Sequence, residues 1–150
     1  MALITLVRES PLPPTEVWGR LTDWPRHGTA VPFTRVTVAT PPPPGTGTRT
    51  GTRFVARTGV GRLGFDDPME VVVWRPPTAT TAGLCRLEKR GTFVTGWAEI
   101  EVHAHGGPGS RVVWREELRV RWLPSAFDGP LAGAGRVLFG RAVGRLLADA

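Results

Sequence analysis

From residue 34 to residue 121 the chain alternates between apolar and polar side chains with a period of two, and this pattern restricts the fold more than any other feature. Six segments read as strands, and short turns that contain Gly or Pro join most of them: TRVTVAT, RFVARTGV, MEVVVW, LCRLEKR, FVTGWAEIEVHA and RVVWREELRVRW. The order is that of an antiparallel meander. Such a sheet has one apolar face, so a second layer must cover it.

Both ends of the chain add to this sheet. Residues 2–8 predict a first strand, and PLPPTEVWGRLTDW predicts a short helix. Pro25 disfavours a helical Trp24, so this helix ends there, with room for one more turn before Pro32. The last segment, PLAGAGRVLFGRAVGRLLADA, predicts a long helix whose apolar face is the natural cover: Leu131, Gly135, Leu138, Phe139, Ala142, Val143 and Leu146. The predicted class is α+β, with residues 1–150 as one domain.

The composition limits the partners and the compartment. The net charge of +6 comes from 18 Arg and one Lys, but the arginines are scattered and many lie beside acids on the polar side of strands. This distribution argues against nucleic-acid binding. No apolar run approaches the ~20 residues that span a bilayer. MALITLVRES has no basic n-region and reads as a strand rather than a signal peptide. The single Cys85 excludes an internal disulfide and fits the cytoplasm.

Three stretches together resemble one superfamily. RLTDWPRHGTAVPFTRV, GFDDPMEVVVWRPP and VTGWAEIEV, in this order, resemble the SRPBCC superfamily, and its small actinobacterial members most of all. That group includes START-like lipid-binding domains and polyketide cyclase/dehydrase-like proteins, and the resemblance covers essentially the whole chain. It implies a helix-grip fold, in which a strongly curved seven-stranded sheet wraps around the C-terminal helix and encloses a cavity for an apolar ligand. The family has no invariant catalytic motif, so no active-site residue is carried over.

Several motifs suggest other functions, and their context argues against each one. GVGRLG, residues 59–64, matches a dinucleotide fingerprint, but a strand follows it where a helix is required, so it predicts a hairpin turn. GTGTRTG, residues 45–51, predicts a flexible loop, near the cavity mouth if the family fold holds. His103 and His105 share one face of a strand, yet no third metal ligand is evident. We therefore expect neither a metal nor a cofactor.

Glu116 is the unusual residue of the strand RVVWREELRV, because it lies on the apolar face with Trp114 and Leu118. Pairing this strand with residues 94–102 puts Ala98 and Gly96 beside Glu116. Their small side chains leave space, which a pocket needs. The same register places Glu99 and Glu101 near Arg115 and Arg111 on the outer face, directly or diagonally.

Lys89 also points inward in this register. It lies about four residues along from Glu116, on the order of 13 Å at ~3.3 Å per residue. A direct ion pair between them is therefore not expected.

Two roles remain open for Glu116. It either accepts hydrogen bonds from an Arg, a Trp or the backbone and serves packing only, or it lines the cavity as an anchor or an acid/base group. Apart from carboxylates, the acid/base candidates are His27 and Lys89, since there is no Tyr. The predicted ligand contacts are Glu116, Trp114, Leu118, Phe54, Met69, Leu87, Ala98, Leu138, Phe139 and Ala142.

Three functions follow from this reading. The first is a carrier or sensor that binds an apolar small molecule such as a lipid, an isoprenoid or a polyketide. The second is a polyketide cyclase or aromatase that uses acid/base groups in the same cavity. The third is a regulatory domain with a closed cavity. The sequence leaves the ligand and the oligomeric state open.

Overall fold

The computed structural model describes residues 2–39 and 48–148. Its strands, in chain order, are β1 (Ala2–Ser10), β2 (Thr34–Val38), β3 (Arg53–Val60), β4 (Leu63–Arg75), β5 (Gly83–Arg90), β6 (Val94–Ala104) and β7 (Ser110–Val120). Its helices are α1 (Pro14–Leu21), α2 (Trp24–Ala30) and α3 (Asp128–Ala148), and a 3-10 turn, Ser125–Phe127, precedes α3.

The seven strands described form one antiparallel sheet in the order β1-β7-β6-β5-β4-β3-β2. Strands β2 to β7 follow one another as the predicted meander, and β1 forms an edge of the sheet by pairing with β7. The predicted α+β helix-grip architecture is thus confirmed. GVGRLG forms the β3–β4 hairpin turn, where Gly61 adopts a φ of +59°. Residues 45–47 of the predicted GTGTRTG loop lie outside the described residues.

The short helices differ from the prediction at one residue. Helix α1 ends at Leu21, but Trp24 is itself the first residue of α2 rather than a non-helical residue. Proline is tolerated in a first helical turn, where its missing N–H has no intrahelical partner to lose. Pro25 therefore lies within the first turn of α2, directly after Trp24, and does not delay the start of that helix.

Helix α3 covers the sheet unevenly. Its C-terminal half is buried through Gly140, Ala142, Val143 and Leu146, whereas its N-terminal half is only partly buried. Small residues let the helix approach β1, since a Cβ at Gly135 would collide with the side chain of Ile4. None of the helices in the described ranges combines the length and apolar character needed to cross a membrane.

Candidate functional site

A cavity of about 350 Å³ lies between the concave face of the sheet and the helices α2 and α3. Its volume is within the ~300–1,000 Å³ range of small-molecule sites. Most of the lining is aliphatic or aromatic. The polar side chains that line it are His27, Thr34, Thr58, Asp67, Lys89 and Glu116.

Every residue predicted from the sequence as a ligand contact or acid/base group lines this cavity: Glu116, Trp114, Leu118, Phe54, Met69, Leu87, Ala98, Leu138, Phe139, Ala142, His27 and Lys89. The predicted register is also observed, with Ala98 opposite Glu116 and Gly96 opposite Leu118. That these side chains bind a ligand stays a prediction.

Lys89 and Glu116 form an ion pair, and the expectation that they lie too far apart was wrong. Lys89 Nζ is 3.1 Å from Glu116 Oε1 and donates a hydrogen bond of 2.7 Å to Asp67 Oδ2. We call Asp67, Lys89 and Glu116 the ion cluster. Because each member faces the cavity, the ion cluster forms a charged spot on a mostly apolar wall.

The error came from the register across three strands. Lys89 lies opposite Gly96, which lies opposite Leu118, so Lys89 and Glu116 are offset by two residues rather than four. Two residues correspond to about 7 Å along the strand, which a lysine side chain can span. The positions on β6 between the two charged residues are Gly96 and Ala98, which carry too little bulk to block that path.

The backbone conformation at position 96 also requires a glycine. Its φ is +131°, a region that side chains rarely adopt, and a Cβ there would collide with the carbonyl oxygen of Glu117. Backbone geometry therefore keeps this position free of a side chain.

The ion cluster is deeply buried, with exposed side-chain fractions of 4% for Lys89, 4% for Glu116 and 14% for Asp67. Burial acts to lower the pKa of Lys89, but the charges of Glu116 and Asp67 and their hydrogen bonds outweigh it and raise that pKa above its ordinary value. Lys89 is thus held as a cation.

The two oxygens of Glu116 are unequally satisfied. Oε1 faces the Lys89 ammonium, whereas Oε2 accepts a long hydrogen bond of 3.4 Å from Trp114 Nε1. The tryptophan is one of the packing partners that the sequence left open. Glu116 is therefore both paired and part of the cavity wall, and Oε2 is the oxygen with capacity to accept a stronger bond.

His27, on α2, supplies a neutral polar group to the same cavity. Its Nε2 lies 2.7 Å from the carbonyl oxygen of Leu21. A carbonyl oxygen only accepts, so Nε2 carries the hydrogen and Nδ1 is the acceptor of the neutral ring. Burial lowers the pKa of His27, against the smaller opposing effects of that hydrogen bond and of Asp23.

Asp67 is the charged cavity residue that the sequence analysis missed. It lies between Phe65 and Met69 on β4, and all three line the cavity. Met69 was predicted to face inward, so counting back two residues along the strand would have placed Asp67 beside it. Trp24 was also missed as a cavity residue, although it stacks on Phe54 with the ring centroids 4.5 Å apart.

The outer face carries the expected opposite charges, but Glu99 and Arg111 form ion pairs with partners that were not predicted, Arg86 and Glu9. Arg115 lies opposite Glu99 in the register and forms an ion pair of 3.4 Å with Glu101. Arg111 instead forms an ion pair of 3.3 Å with Glu9 of β1.

In the described ranges, no group of three His, Cys, Asp or Glu side chains could hold a metal ion, and His103 lies 3.3 Å from Glu101.

Comparison with known proteins agrees with this fold. The family profile described as "polyketide cyclase / dehydrase and lipid transport" matches residues 1–150, which confirms the resemblance to the SRPBCC superfamily. A START superfamily protein from Mycobacterium smegmatis superposes with a TM-score of 0.75 at 8% identity, covering 99% of this chain and 98% of that one. The Zhui aromatase/cyclase from Streptomyces sp. R1128 gives 0.71 at 11% identity, covering 97% and 91%.

A norcoclaurine synthase from Thalictrum gives a TM-score of 0.65 at 13% identity, covering 97% of this chain and 93% of that one. No curated protein sequence matches the chain. At these identities the structural likenesses show the fold alone.

Proposed function

The chain belongs to the polyketide cyclase/dehydrase and lipid transport family, and we propose that it binds an apolar small molecule in the cavity, as a carrier or a sensor. The observation that carries the proposal is the ion cluster, which faces a mostly apolar cavity of about 350 Å³. An apolar ligand gains about 25 cal/mol for each Å² that it removes from water. The ion cluster then fixes the orientation of the ligand.

The chemistry of the ion cluster determines which polar group the ligand carries. The ion cluster contains two carboxylates and one ammonium, and within the described residues Glu116 Oε2 accepts only the long bond from Trp114. A hydroxyl or phenol group can donate to this oxygen. The preferred ligand is therefore an apolar molecule with one hydrogen-bond donor near the end that reaches Glu116.

Two probe ligands that differ by one hydroxyl group test whether Glu116 accepts a hydrogen bond from the ligand. We expect 2-naphthol to bind at least about ten-fold more tightly than naphthalene, because one buried hydrogen bond to a charged group contributes roughly 1.5–3 kcal/mol. Binding is measured by quenching of tryptophan fluorescence, since Trp24 and Trp114 line the cavity. Glu116→Gln should remove most of the preference. Glu99→Gln, which changes a carboxylate on the outer face, should leave it intact.

A second pair of variants tests whether the cavity is the binding site. Ala134 lines the cavity and is exposed on α3, so Ala134→Trp should block entry without disturbing the core. Val137 is exposed on the same helix outside the cavity lining, so Val137→Trp is the matched control. Equal affinity of the two probes, or unchanged binding by Ala134→Trp, would argue against the proposal.

A cyclase-type activity is the second candidate, favoured by the presence of a neutral imidazole and a fixed cation in the lining of one cavity. His27 Nδ1 could take a proton from a carbon between two carbonyl groups, while the Lys89 ammonium stabilises the negative charge that develops on the enolate oxygen. The C–H bond breaks and its electron pair forms the C=C bond of the enolate, the π electrons of the carbonyl move onto its oxygen, and the proton rests on Nδ1.

The matching assay is deuterium exchange at the central carbon of benzoylacetone in D2O, followed by NMR. We expect the protein to accelerate exchange over buffer, and His27→Gln to abolish the acceleration. His103→Gln should have no effect, since His103 is on the outer face. Exchange at the same rate as in buffer would argue against the cyclase-type activity and leave ligand binding as the proposed function.

A further inference from the structure

The largest exposed apolar side chains gather on one side of the molecule. Among the described residues, the four most exposed large hydrophobic side chains are Leu63 at 83%, Trp122 at 81%, Phe33 at 73% and Val60 at 65%. Val60 and Leu63 lie opposite each other at the β3–β4 hairpin turn, and the Gly59 amide donates a 3.0 Å hydrogen bond to the Phe33 carbonyl. We call these four side chains the mouth surface.

A chain of contacts joins the hairpin to Trp122. Phe65, just beyond the hairpin turn, packs against Phe93 with the ring centroids 5.1 Å apart. The Arg121 amide donates a 2.7 Å hydrogen bond to the Phe93 carbonyl, and Trp122 is the next residue. The four side chains therefore belong to neighbouring loop tips.

These loop tips border the opening of the cavity. Pro32, Ala134 and Leu138 line the cavity and are also exposed, so they mark its mouth. Pro32 directly precedes Phe33, and the lining residue Val120 lies two residues before Trp122.

Two of the four residues are also held in an unfavourable backbone conformation. Phe33 has a φ of +57° and Trp122 a φ of +66°, and no other non-glycine residue in the described ranges has a positive φ. This region is an outlier for bulky residues, and such strain concentrates at functional sites. Phe33 and Trp122 are therefore both exposed and strained, and both lie beside the cavity mouth. This combination indicates that they have a function other than packing in the core.

The charge around the mouth surface is positive. Arg62 is in the hairpin turn, and the Arg121 guanidinium lies 4.7 Å from the centre of the Trp122 ring. Arg35 lies directly opposite Arg57, and Asp66 forms an ion pair with Arg57 at 3.3 Å. Apolar tips within a basic surround match the surface of an anionic bilayer, which attracts arginines and admits aromatic rings at the headgroup level.

We propose that the mouth surface docks on anionic phospholipid membranes, with Phe33 and Trp122 entering the interface so that the cavity opens toward the lipid. This goes beyond the binding of a ligand in the cavity, and it can be tested without any cavity ligand. Insertion of separate loop tips suits a fluid bilayer better than a flat protein partner.

Vesicle flotation tests the proposal. At ~0.1 M salt, where the Debye length is about 10 Å, we expect the full chain to float with phosphatidylcholine/phosphatidylglycerol vesicles and not with phosphatidylcholine alone. Trp122→Gly and Phe33→Gly should each weaken binding about ten-fold, as expected for removing one large apolar side chain from the interface. Glycine also relieves the positive φ, so neither variant should lower the melting temperature.

Val7→Ser is the matched control, because Val7 is an exposed apolar residue on β1 outside the mouth surface. It should bind as the wild type does. The proposal is overturned if the wild type floats with neither vesicle, or if Val7→Ser weakens binding as much as Trp122→Gly. It is also overturned if the mouth surface is covered by a second copy, seen as a dimer that Trp122→Gly dissociates.

Discussion

Substituting Lys89 by Met tests how far the structure depends on the cation in the ion cluster. Met has a similar length, so the volume is nearly kept while the charge is lost. The variant leaves Asp67 and Glu116 without their cation in a site where Lys89 and Glu116 are each 4% exposed. Breaking a buried ion pair by removing one partner costs about 3–5 kcal/mol. At ~2–4 °C per kcal/mol for a chain of this size, the melting temperature should fall by about 6–20 °C.

A double-mutant cycle separates the ion pair from general damage. We expect Lys89→Met with Glu116→Gln to lose at least about 1 kcal/mol less than the sum of the single variants, because the second change removes one of the stranded charges. Urea unfolding at pH 7 gives the free energy of unfolding of the wild type, of each single variant and of the double variant. Arg90→Met is the matched control, since Arg90 is the next residue and its side chain is 48% exposed, and it should cost only a small fraction of the Lys89→Met loss.

The pH dependence gives an independent check. The pKa of Lys89 is raised in the folded state, so the stability it contributes is fully present below its unfolded pKa of about 10.4. That contribution is lost only as the pH rises through the raised pKa.

A loss under about 1 kcal/mol for Lys89→Met, or additive single variants, would refute the reasoning that the pair is buried and coupled.

The remaining predictions concern three other sites. Burial raises the pKa of the Cys85 thiol to about 12, so it should resist Ellman's reagent at pH 8 until the protein is unfolded in urea. Burial lowers the pKa of His27, so its contribution to stability is present above its unfolded pKa of about 6.5 and is lost as the pH falls; His27→Gln should flatten the melting-temperature profile between pH 7 and pH 5. Leu146 is 2% exposed and Leu138 38%, so Leu146→Ala should cost about 2–5 kcal/mol in urea unfolding and Leu138→Ala clearly less. A reactive native Cys85, an unchanged pH profile or equal costs of the two leucine variants would contradict the respective argument.

The strand order and the inward faces could be predicted because they rest on a period of two, which a sequence displays directly. The inward placement of Trp114, Glu116 and Leu118 followed from that period, as did their neighbours on β6. The resemblance to the SRPBCC superfamily supplied the curvature and the cavity, which the alternation alone does not specify. That residues 1–150 form one domain, and that the protein works in the cytoplasm, stay predictions.

The Lys89–Glu116 ion pair could not be predicted, because it depends on the register summed over several strands. An error of two residues in that count separated Lys89 from Glu116, whereas Asp67 was missed although it lies two residues before Met69 on the same strand. The backbone strain at Phe33 and Trp122 leaves no mark in the sequence either, since neither residue favours a positive φ. Features fixed by tertiary geometry, rather than by local periodicity, therefore needed the structure.

The most direct test of the proposed function is mass spectrometry of the small molecules that purify with the protein, followed by fluorescence titration with 2-naphthol. We predict an apolar compound with a hydroxyl or similar donor, at about one molecule per chain, that is absent from the Ala134→Trp variant and that 2-naphthol displaces. The same compound in equal amount from Ala134→Trp, or a wild-type protein that is empty and also fails to bind 2-naphthol, would contradict the cavity as a ligand site.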